Sequence, residues 1–284
     1  MEPATEVEER VGKKERPLIL VTNDDGIASD GLWAAARALL PLGDLLVAAP
    51  NRQWSGAGRS MPNMVSGHIE KVERQLEGRE IEAYAIDASP ALVVVHALLE
   101  LAPRPPALVV SGINFGENIS ISVTISGTVG AALEGAASGL PAMAVSLAMP
   151  IANHLDGGDN TDYRGAMAYT YRFARFLLRY PRPYDVDLLN INLPLSATPE
   201  TPWRLTRLAR TRYFVPTPPN RAAGEGRPGY RAIDDPRSMV APDTDVWAVA
   251  VDEVVSVTPL SLDLTSRSDF GQVEAWLHRL EEEG

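Results

Sequence analysis

The chain has 284 residues, of which 45% are hydrophobic and 22% are charged, and its formal net charge at pH 7 is −11. This composition is typical of a soluble globular protein with a substantial core. The acidic excess argues against non-specific binding to a nucleic-acid polymer, which needs basic residues to neutralise phosphates. A single nucleotide remains an acceptable ligand, because a metal and local donors can outweigh the global field.

The absence of cysteine excludes disulfides, thiolate nucleophiles and cysteine-ligated zinc. It fits a reducing compartment, and we expect a cytoplasmic protein. None of the four histidines sits in a spacing typical of a zinc site. No apolar run reaches membrane-spanning length, so no membrane partner is expected. Residues 1–16 are charged and lack an apolar signal segment, which predicts a disordered leader before a domain at 17–262.

Strand and helix patterns alternate along the chain. A buried strand is predicted at 17–22, followed by a helix that Asp30 caps and Gly43 ends. Further strands are predicted at 45–49, 81–86, 108–111, 142–147 and 188–193, with helices at 89–101, 127–138 and 162–179. This alternation predicts an α/β fold with a Rossmann-like, doubly wound, mostly parallel sheet. Such sheets bind ligands outside the carboxyl ends of their strands.

The character of the chain changes after residue 200. Residues 212–244 are rich in proline, glycine and arginine, which is typical either of a mobile loop or of an arm that reaches a partner subunit. Strands are predicted again at 245–250 and 254–258. Residues 263–284 are predicted to form a C-terminal helix or tail.

Two adjacent carboxylates, Asp24 and Asp25, follow the first strand. Keeping both ionised in a partly buried turn is costly unless a cation neutralises them. Carboxylate oxygens suit a hard cation such as magnesium or manganese. The alternative is a simple Asx-type turn that leads into a helix.

Three more polar segments follow predicted strands or begin a helix. Ser55, in a glycine-rich loop, is a candidate metal ligand or phosphate donor, and it is equally compatible with a plain flexible loop. Asn114 offers a neutral oxygen to a hard cation, and Asn118 can donate to a phosphate oxygen. Ser126, Gly127 and Thr128 precede a helix, whose free N–H groups favour an anion, although N-capping alone would also explain them.

Together these segments supply a metal site and an anion-binding helix start at one edge of one sheet. That is the minimum equipment for transferring a phosphoryl group to water. The chain has no GxxxxGK[ST] segment and no GxGxxG after a strand, so triphosphate binding of the Walker kind and a dinucleotide cofactor are not supported.

The same segments resemble the SurE (survival protein E) family of nucleotidases. The resemblance follows the chain in order from residue 19 to residue 260. It is carried by ILVTNDDGI, AAPNRQWSGAGRS, LVVSGINFGEN, SGTVGAALEGAASGLPAMAVSL, NINLP and DTDVWAV…VSVTPL. The combination of a TNDDG strand end with SGxNxGxN and SGT is highly specific.

The resemblance implies a metal-dependent phosphomonoesterase that hydrolyses nucleoside 5′-monophosphates and, in some members, 3′-monophosphates or short polyphosphate. It implies one divalent metal ion per subunit, Mg²⁺ or Mn²⁺. The implied metal ligands are Asp24, Asp25, Ser55 and Asn114, and the implied phosphate-binding residues are Asn118, Ser126, Gly127 and Thr128. It also implies a homodimer or homotetramer, with residues 200–260 as a hairpin-bearing oligomerisation arm.

The chain departs from the family pattern at several positions. Phe115 stands where an arginine is common, Arg59 where a histidine is common, and Ile125 where an aromatic residue or histidine is common. Residues 87–91 replace a more usual TGTPADC-like stretch. None of these is an implied metal ligand.

The expected mechanism places Asp24 and Asp25 at the reaction centre. One aspartate, preferentially Asp24, accepts the proton of the attacking water or attacks phosphorus directly, and the sequence leaves both routes open. A haloacid-dehalogenase-type phosphatase is the alternative enzyme, but it expects an Asp-x-Asp spacing. The non-enzymatic alternative is a nucleotide- or metal-binding sensor that keeps the pocket and lacks turnover.

Overall fold

The computed structural model describes residues 15–154, 161–224 and 226–282. Residues 1–14 of the predicted leader lie outside the described residues. Arg16 already belongs to the fold, since its guanidinium donates to the carbonyls of Leu40 at 2.6 Å and Gly43 at 2.7 Å.

Among the described residues, nine strands form one sheet and two more form a separate hairpin. The strands of the large sheet are β1 (Leu18–Thr22), β2 (Asp44–Pro50), β3 (Ile69–Leu76), β4 (Arg79–Ile86), β5 (Leu108–Phe115), β6 (Ala142–Leu147), β7 (Leu188–Leu193), β8 (Trp203–Leu205) and β11 (Val255–Leu260). The hairpin pairs β9 (Phe214–Thr217) with β10 (Gly229–Ala232) in antiparallel fashion.

Seven α-helices occur in the described parts of the chain. They are α1 (Asp30–Leu39), α2 (Pro90–His96), α3 (Gly127–Ala137), α4 (Arg164–Arg179), α5 (Pro236–Met239), α6 (Asp245–Ala250) and α7 (Phe270–Glu282). None of the helices in these ranges is long and apolar enough to cross a membrane. The cytoplasmic location expected from the sequence stays a prediction.

Helices cover both faces of the sheet, which confirms the doubly wound architecture. Helices α1 and α4 pack with Ile19 and Val21 of β1 on one face. Helices α2 and α3 pack with Leu18 and Leu20 of the same strand on the other face. Because successive side chains of a strand point to opposite faces, β1 must present apolar side chains to both, as the first four residues of its LILVT sequence do.

The strand order β3-β4-β2-β1-β5-β6-β7-β11-β8 places the first strand in the middle of the sheet. Strand β1 pairs in parallel with β2 on one side and with β5 on the other. The chain therefore winds outward in opposite directions from β1, and a crevice opens at the carboxyl ends of β1 and β5. The polar segments that follow β1, β2 and β5 all meet at this edge.

Several details of the predicted elements were wrong, among them the N-cap of α1, which is Ser29 and not Asp30, and strand β8, which was not predicted. Residues 245–250 form helix α6 rather than a strand, because the Thr244 hydroxyl caps it by accepting from the Trp247 N–H. Strand β5 runs on to Phe115, so Asn114 lies in the strand and not in a loop. Strand β3 was not predicted, because it is an edge strand in which only Leu76 is fully buried.

The C-terminal region packs partly on the sheet and partly stands exposed. Tyr213 and Ile233, which flank the β9–β10 hairpin, form a small core with Ile119 and Val246. Helix α7 exposes several large apolar side chains instead. The hairpin predicted in the 200–260 segment is confirmed, whereas its role in oligomerisation stays a prediction.

Candidate active site

Asp24 lies just beyond β1 and faces the first turn of α3. The Thr128 hydroxyl donates to its Oδ1 at 2.5 Å, and the backbone N–H groups of Gly127 and Thr128 also donate to its carboxylate. Burial raises the pKa of Asp24 to about 6, although these donors pull it down. Residue 127 must be glycine, because an added Cβ would lie 2.7 Å from Asp24 Cβ and Oδ2.

Asp25 is held by two different elements. Its Oδ2 accepts from the Phe115 backbone N–H at 3.3 Å, and its Oδ1 accepts from the Gln53 side-chain amide at 3.2 Å. Burial raises its pKa well above the usual value, and the neighbouring charge of Asp24 raises it further. The two aspartates therefore oppose each other's ionisation in the absence of a cation.

Asn114 is buried next to this pair, with 7% of its surface exposed. Its amide nitrogen donates to the Gly116 carbonyl at 2.6 Å, which sets the orientation of the amide group. Since the nitrogen is engaged by the backbone, the side-chain oxygen remains as the group that can serve as a ligand.

Ser55 is exposed in the loop after β2. The preceding residue ties this loop to the site, because the Trp54 N–H donates to the Asp24 carbonyl at 2.8 Å. The far end of the loop is tied down as well, since the Gly58 N–H donates to the Ile125 carbonyl at 2.9 Å. The structure thus brings the Ser55 loop to the same edge as the aspartates.

Asn118 is held in a network of polar side chains. Its amide nitrogen donates to Ser146 Oγ at 3.0 Å and to Thr128 Oγ1 at 3.3 Å. Its backbone N–H donates to Asn192 Oδ1 at 2.7 Å, and its carbonyl accepts from Asn190 Nδ2 at 2.8 Å. Asn118 is therefore fixed from β6, β7 and α3 together.

The start of α3 already holds an anion supplied by the chain itself. Ser126 is the N-cap, and its hydroxyl accepts from the Val129 N–H at 3.0 Å. The N–H groups of Gly127 and Thr128 face Asp24, as described above. The first turn of α3 therefore stabilises a carboxylate, and a substrate phosphate would lie beside that carboxylate.

The donor set at this edge fits a hard divalent cation. Two adjacent carboxylates, Asp24 buried and Asp25 half-buried, both with raised pKa values, are costly to ionise without a positive charge between them. The Asn114 oxygen and the Ser55 hydroxyl are hard, neutral donors of the kind that magnesium and manganese accept. In the part of the chain that the structure describes, no cluster of three or more Asp, Glu, His or Cys side chains occurs. The fit therefore depends on the amide and hydroxyl donors.

Sequence reasoning missed four residues that hold the site: Gln53, Ser146, Asn190 and Asn192. Polar side chains within buried strands were the available signal, because β6 and β7 are buried at every position and yet contain serine and asparagine. A buried amide needs partners, and here those partners belong to Asn118. No signal in the sequence identified Gln53.

Comparison with known proteins shows which family and fold this chain resembles. The family model "Survival protein SurE" matches residues 19–215. The chain is 40% identical over 261 residues to "5′-nucleotidase SurE" of Thermococcus kodakarensis, covering 90% of this chain and 96% of that protein. It is 38% identical over 277 residues to "5′-nucleotidase SurE" of Methanosarcina barkeri, covering 94% and 100%. The crystal structure of the SurE protein from Aquifex aeolicus superimposes with a TM-score of 0.71 at 30% identity, covering 93% of this chain and 100% of that one.

Proposed function

This chain belongs to the SurE family, and from that membership we propose that it is a 5′-nucleotidase, a phosphomonoesterase that releases phosphate from nucleoside monophosphates. Relatives that carry the 5′-nucleotidase name align over nearly their whole length with this chain, which supports an enzyme rather than a binding module.

One observation carries the proposal. Asp24, which is buried, and Asp25, which is half-buried, lie at the carboxyl ends of β1 and β5, where Asp24 accepts from Thr128 in the first turn of α3 and Asp25 accepts from the Phe115 N–H of β5. Hydrolysis of a phosphate ester needs a cation to offset the charge of the phosphate and a group that activates the nucleophile. This edge of the sheet offers oxygen donors for the cation and a carboxylate for the nucleophile.

We assign the metal to Asp24, Asp25, Ser55 and Asn114, as one Mg²⁺ or Mn²⁺ ion per subunit. A divalent ion bound there supplies Lewis-acid stabilisation of the charge on the phosphoryl oxygens. The chain supplies the hard oxygen donors. Burial makes the ionised pair of aspartates costly without a cation, so it favours the cation-bound state of the site.

The remaining steps belong to the side chains. Asp24, held by the Thr128 hydroxyl and by the N–H groups of α3, accepts the proton of the attacking water or attacks phosphorus itself. In the first route the bond between phosphorus and the nucleoside oxygen breaks as the water oxygen adds, and the nucleoside oxygen takes up a proton and leaves as the alcohol. In the second route the same bond breaks as the aspartyl-phosphate forms, and water then hydrolyses the aspartyl-phosphate to phosphate and free Asp24.

Asn118 is fixed through its backbone by Asn190 and Asn192. Its amide nitrogen donates to a phosphoryl oxygen when the substrate replaces one of its present acceptors, Ser146 or Thr128. The helix start at Ser126–Thr128 adds a positive field that favours an anion.

The central experiment is phosphate release from AMP, GMP and an aryl phosphate, with and without Mn²⁺. Release that a chelator abolishes is the expected result. Asp25→Asn should lower activity and weaken Mn²⁺ binding, with Asp252→Asn as the matched exposed control. Tight nucleotide binding without release would refute the enzyme and leave the sensor.

Rapid quenching of the reaction separates the two routes open to Asp24. Recovery of an aspartyl-phosphate on a peptide that contains residue 24 would establish direct attack. Metal-dependent turnover with no trapped phosphate on that peptide would establish the water route.

We also propose a homodimer or homotetramer in which residues 200–260 take part. The exposed apolar side chains of this segment, among them Leu205 and Met239, support an assembly that covers them. Sedimentation of the full chain tests this, and a purely monomeric species at micromolar concentration would refute it.

A further inference from the structure

Both carboxylate oxygens of Asp25 are oriented by groups that are not themselves metal ligands. The Phe115 backbone N–H donates to Oδ2, and the Gln53 side-chain amide donates to Oδ1. The first donor belongs to β5, whereas the second belongs to the loop after β2. The carboxylate keeps one orientation only while both elements are in place.

The same nitrogen of Gln53 also donates to the backbone carbonyl of His154 at 3.2 Å. A primary amide nitrogen carries two hydrogens, so the bonds to Asp25 and to His154 can be made at once. The His154 carbonyl therefore restrains the rotamer of Gln53, and with it the bond to Asp25. Two segments that lie 101 residues apart are joined through one side chain.

The ring of His154 is held firmly enough to serve as an anchor. Its Nε2 lies 3.0 Å from the Met149 carbonyl, which can only accept, so this nitrogen carries the hydrogen. Its Nδ1 then accepts from the Tyr230 hydroxyl at 2.9 Å. The ring also lies against Gly116, where an added Cβ would come within 2.9 Å of Nε2.

The β9–β10 hairpin supplies the outer support for this ring. Tyr230 of β10 and Phe214 of β9 pack against each other, with ring centroids 5.4 Å apart. Phe214 also meets the His154 ring edge-on, at 5.8 Å between centroids. The hairpin is thus connected to Asp25 by a chain of contacts, from Tyr230 to the His154 ring and from the His154 carbonyl to the Gln53 side chain.

On the premise of the proposed metal-dependent activity, we propose that Gln53 is a positioning residue that orients the Asp25 carboxylate for the metal, and that His154 and Tyr230 hold Gln53 in place. Partners that orient a ligand are worth about 10- to 100-fold in metal affinity. The bond of Gln53 to Asp25 is long, so we expect the lower end of that range.

The test is calorimetric binding of Mn²⁺ to the metal-free, full-length protein, a readout that does not depend on turnover. Gln53→Met has nearly the same length and removes both donors, and it should raise the Kd about tenfold. Tyr230→Phe keeps the ring contacts and removes the hydroxyl, and it should raise the Kd about threefold. Gln75→Met, on the exposed edge strand β3, is the matched control and should bind as the wild type does.

The double variant distinguishes positioning from independent structural effects. If Tyr230 acts through Gln53, Tyr230→Phe raises the Kd in the wild type and leaves it unchanged in the Gln53→Met background. Threefold losses in both backgrounds would overturn the serial arrangement.

The remaining outcomes are equally decisive. A wild type that binds Mn²⁺ together with a Gln53→Met variant of unchanged affinity would overturn this inference alone. A wild type that binds no Mn²⁺ would overturn the metal-dependent function as well. Should Gln53→Met fail to fold, an unchanged Kd in Tyr230→Phe would still refute the arrangement.

Discussion

Replacing Thr128 by valine tests whether its hydroxyl serves Asp24 or the substrate phosphate. Thr128 is fully buried, and its hydroxyl donates to Asp24 Oδ1 at 2.5 Å. Valine has almost the same shape, so the substitution removes this donor without opening a cavity. It also removes one acceptor of the Asn118 amide, which keeps its bond to Ser146.

The magnitude follows from the strength of a hydrogen bond to a charged group, about 1.5–3 kcal/mol. At about 1.4 kcal/mol for each tenfold change, losing it moves the pKa of Asp24 from about 6 to about 7 or 8. At pH 6.5 the ionised fraction of Asp24 then falls from about three quarters to between about a quarter and a thirtieth. Mn²⁺ binding should therefore weaken by about 3- to 25-fold at pH 6.5 and recover by pH 8.5.

The assay is Mn²⁺ titration of the metal-free protein at these two pH values, followed by kcat and KM for AMP. Thr170→Val is the matched control, because Thr170 is equally buried and its hydroxyl donates within α4 to the Ala166 carbonyl. Unchanged Mn²⁺ affinity at pH 6.5 with a raised KM would refute the reasoning, since it would assign the hydroxyl to the phosphate. An equal loss at both pH values would refute the electrostatic part.

Three further predictions concern the surroundings of the site. Asp245→Ala should lower the free energy of unfolding, measured by urea titration, by about 2–4 kcal/mol. The reason is that the buried Asp245 carboxylate accepts from the N–H groups of Ser120, Ala209 and Val246. A change below about 0.5 kcal/mol would contradict this. Gly127→Ala should abolish Mn²⁺ binding while the protein still folds, because the added Cβ would displace the Asp24 side chain. Wild-type Mn²⁺ affinity in this variant would contradict the close contact. Burial raises the pKa of Glu117 in the folded protein above 4.5, its value in the unfolded chain. The protonated Glu117 side chain therefore contributes fully to the free energy of unfolding below pH 4.5, and this contribution is lost as the pH rises through the pKa of the folded protein. Glu117→Gln should therefore gain stability relative to the wild type between pH 4 and pH 7 in metal-free urea unfolding, and a constant difference would contradict the shift.

The central part of the fold could be predicted from residue patterns because its signals are local and strong. Strand β1 is apolar at its first four positions, and the helix that follows repeats its apolar residues at 3.6-residue spacing. Alternation of such segments leaves few topologies for a parallel sheet. The positions of Asp24, Asp25 and Asn114 at one sheet edge follow from that topology alone.

Local pattern failed where tertiary context decided the conformation. Residues 245–250 carry an apolar sequence that suits either a strand or a buried helix, and the Thr244 cap together with the bonds of Asp245 selects the helix. Strand β3 has a charged sequence that indicates no strand, and it forms because β4 offers a free edge for pairing.

The sequence by itself predicted the central strands of the sheet, the family and a candidate set of oxygen donors, because apolar periodicity and motif spacing are properties of neighbouring residues. Only the tertiary structure decided what those donors contact. It turned the start of α3 toward Asp24, fixed Asn118 through two asparagines of β7, and joined Asp25 to the hairpin through Gln53 and His154. These contacts bridge segments far apart in the chain, and a hydrogen bond between such segments exists only after packing has brought them within about 3 Å.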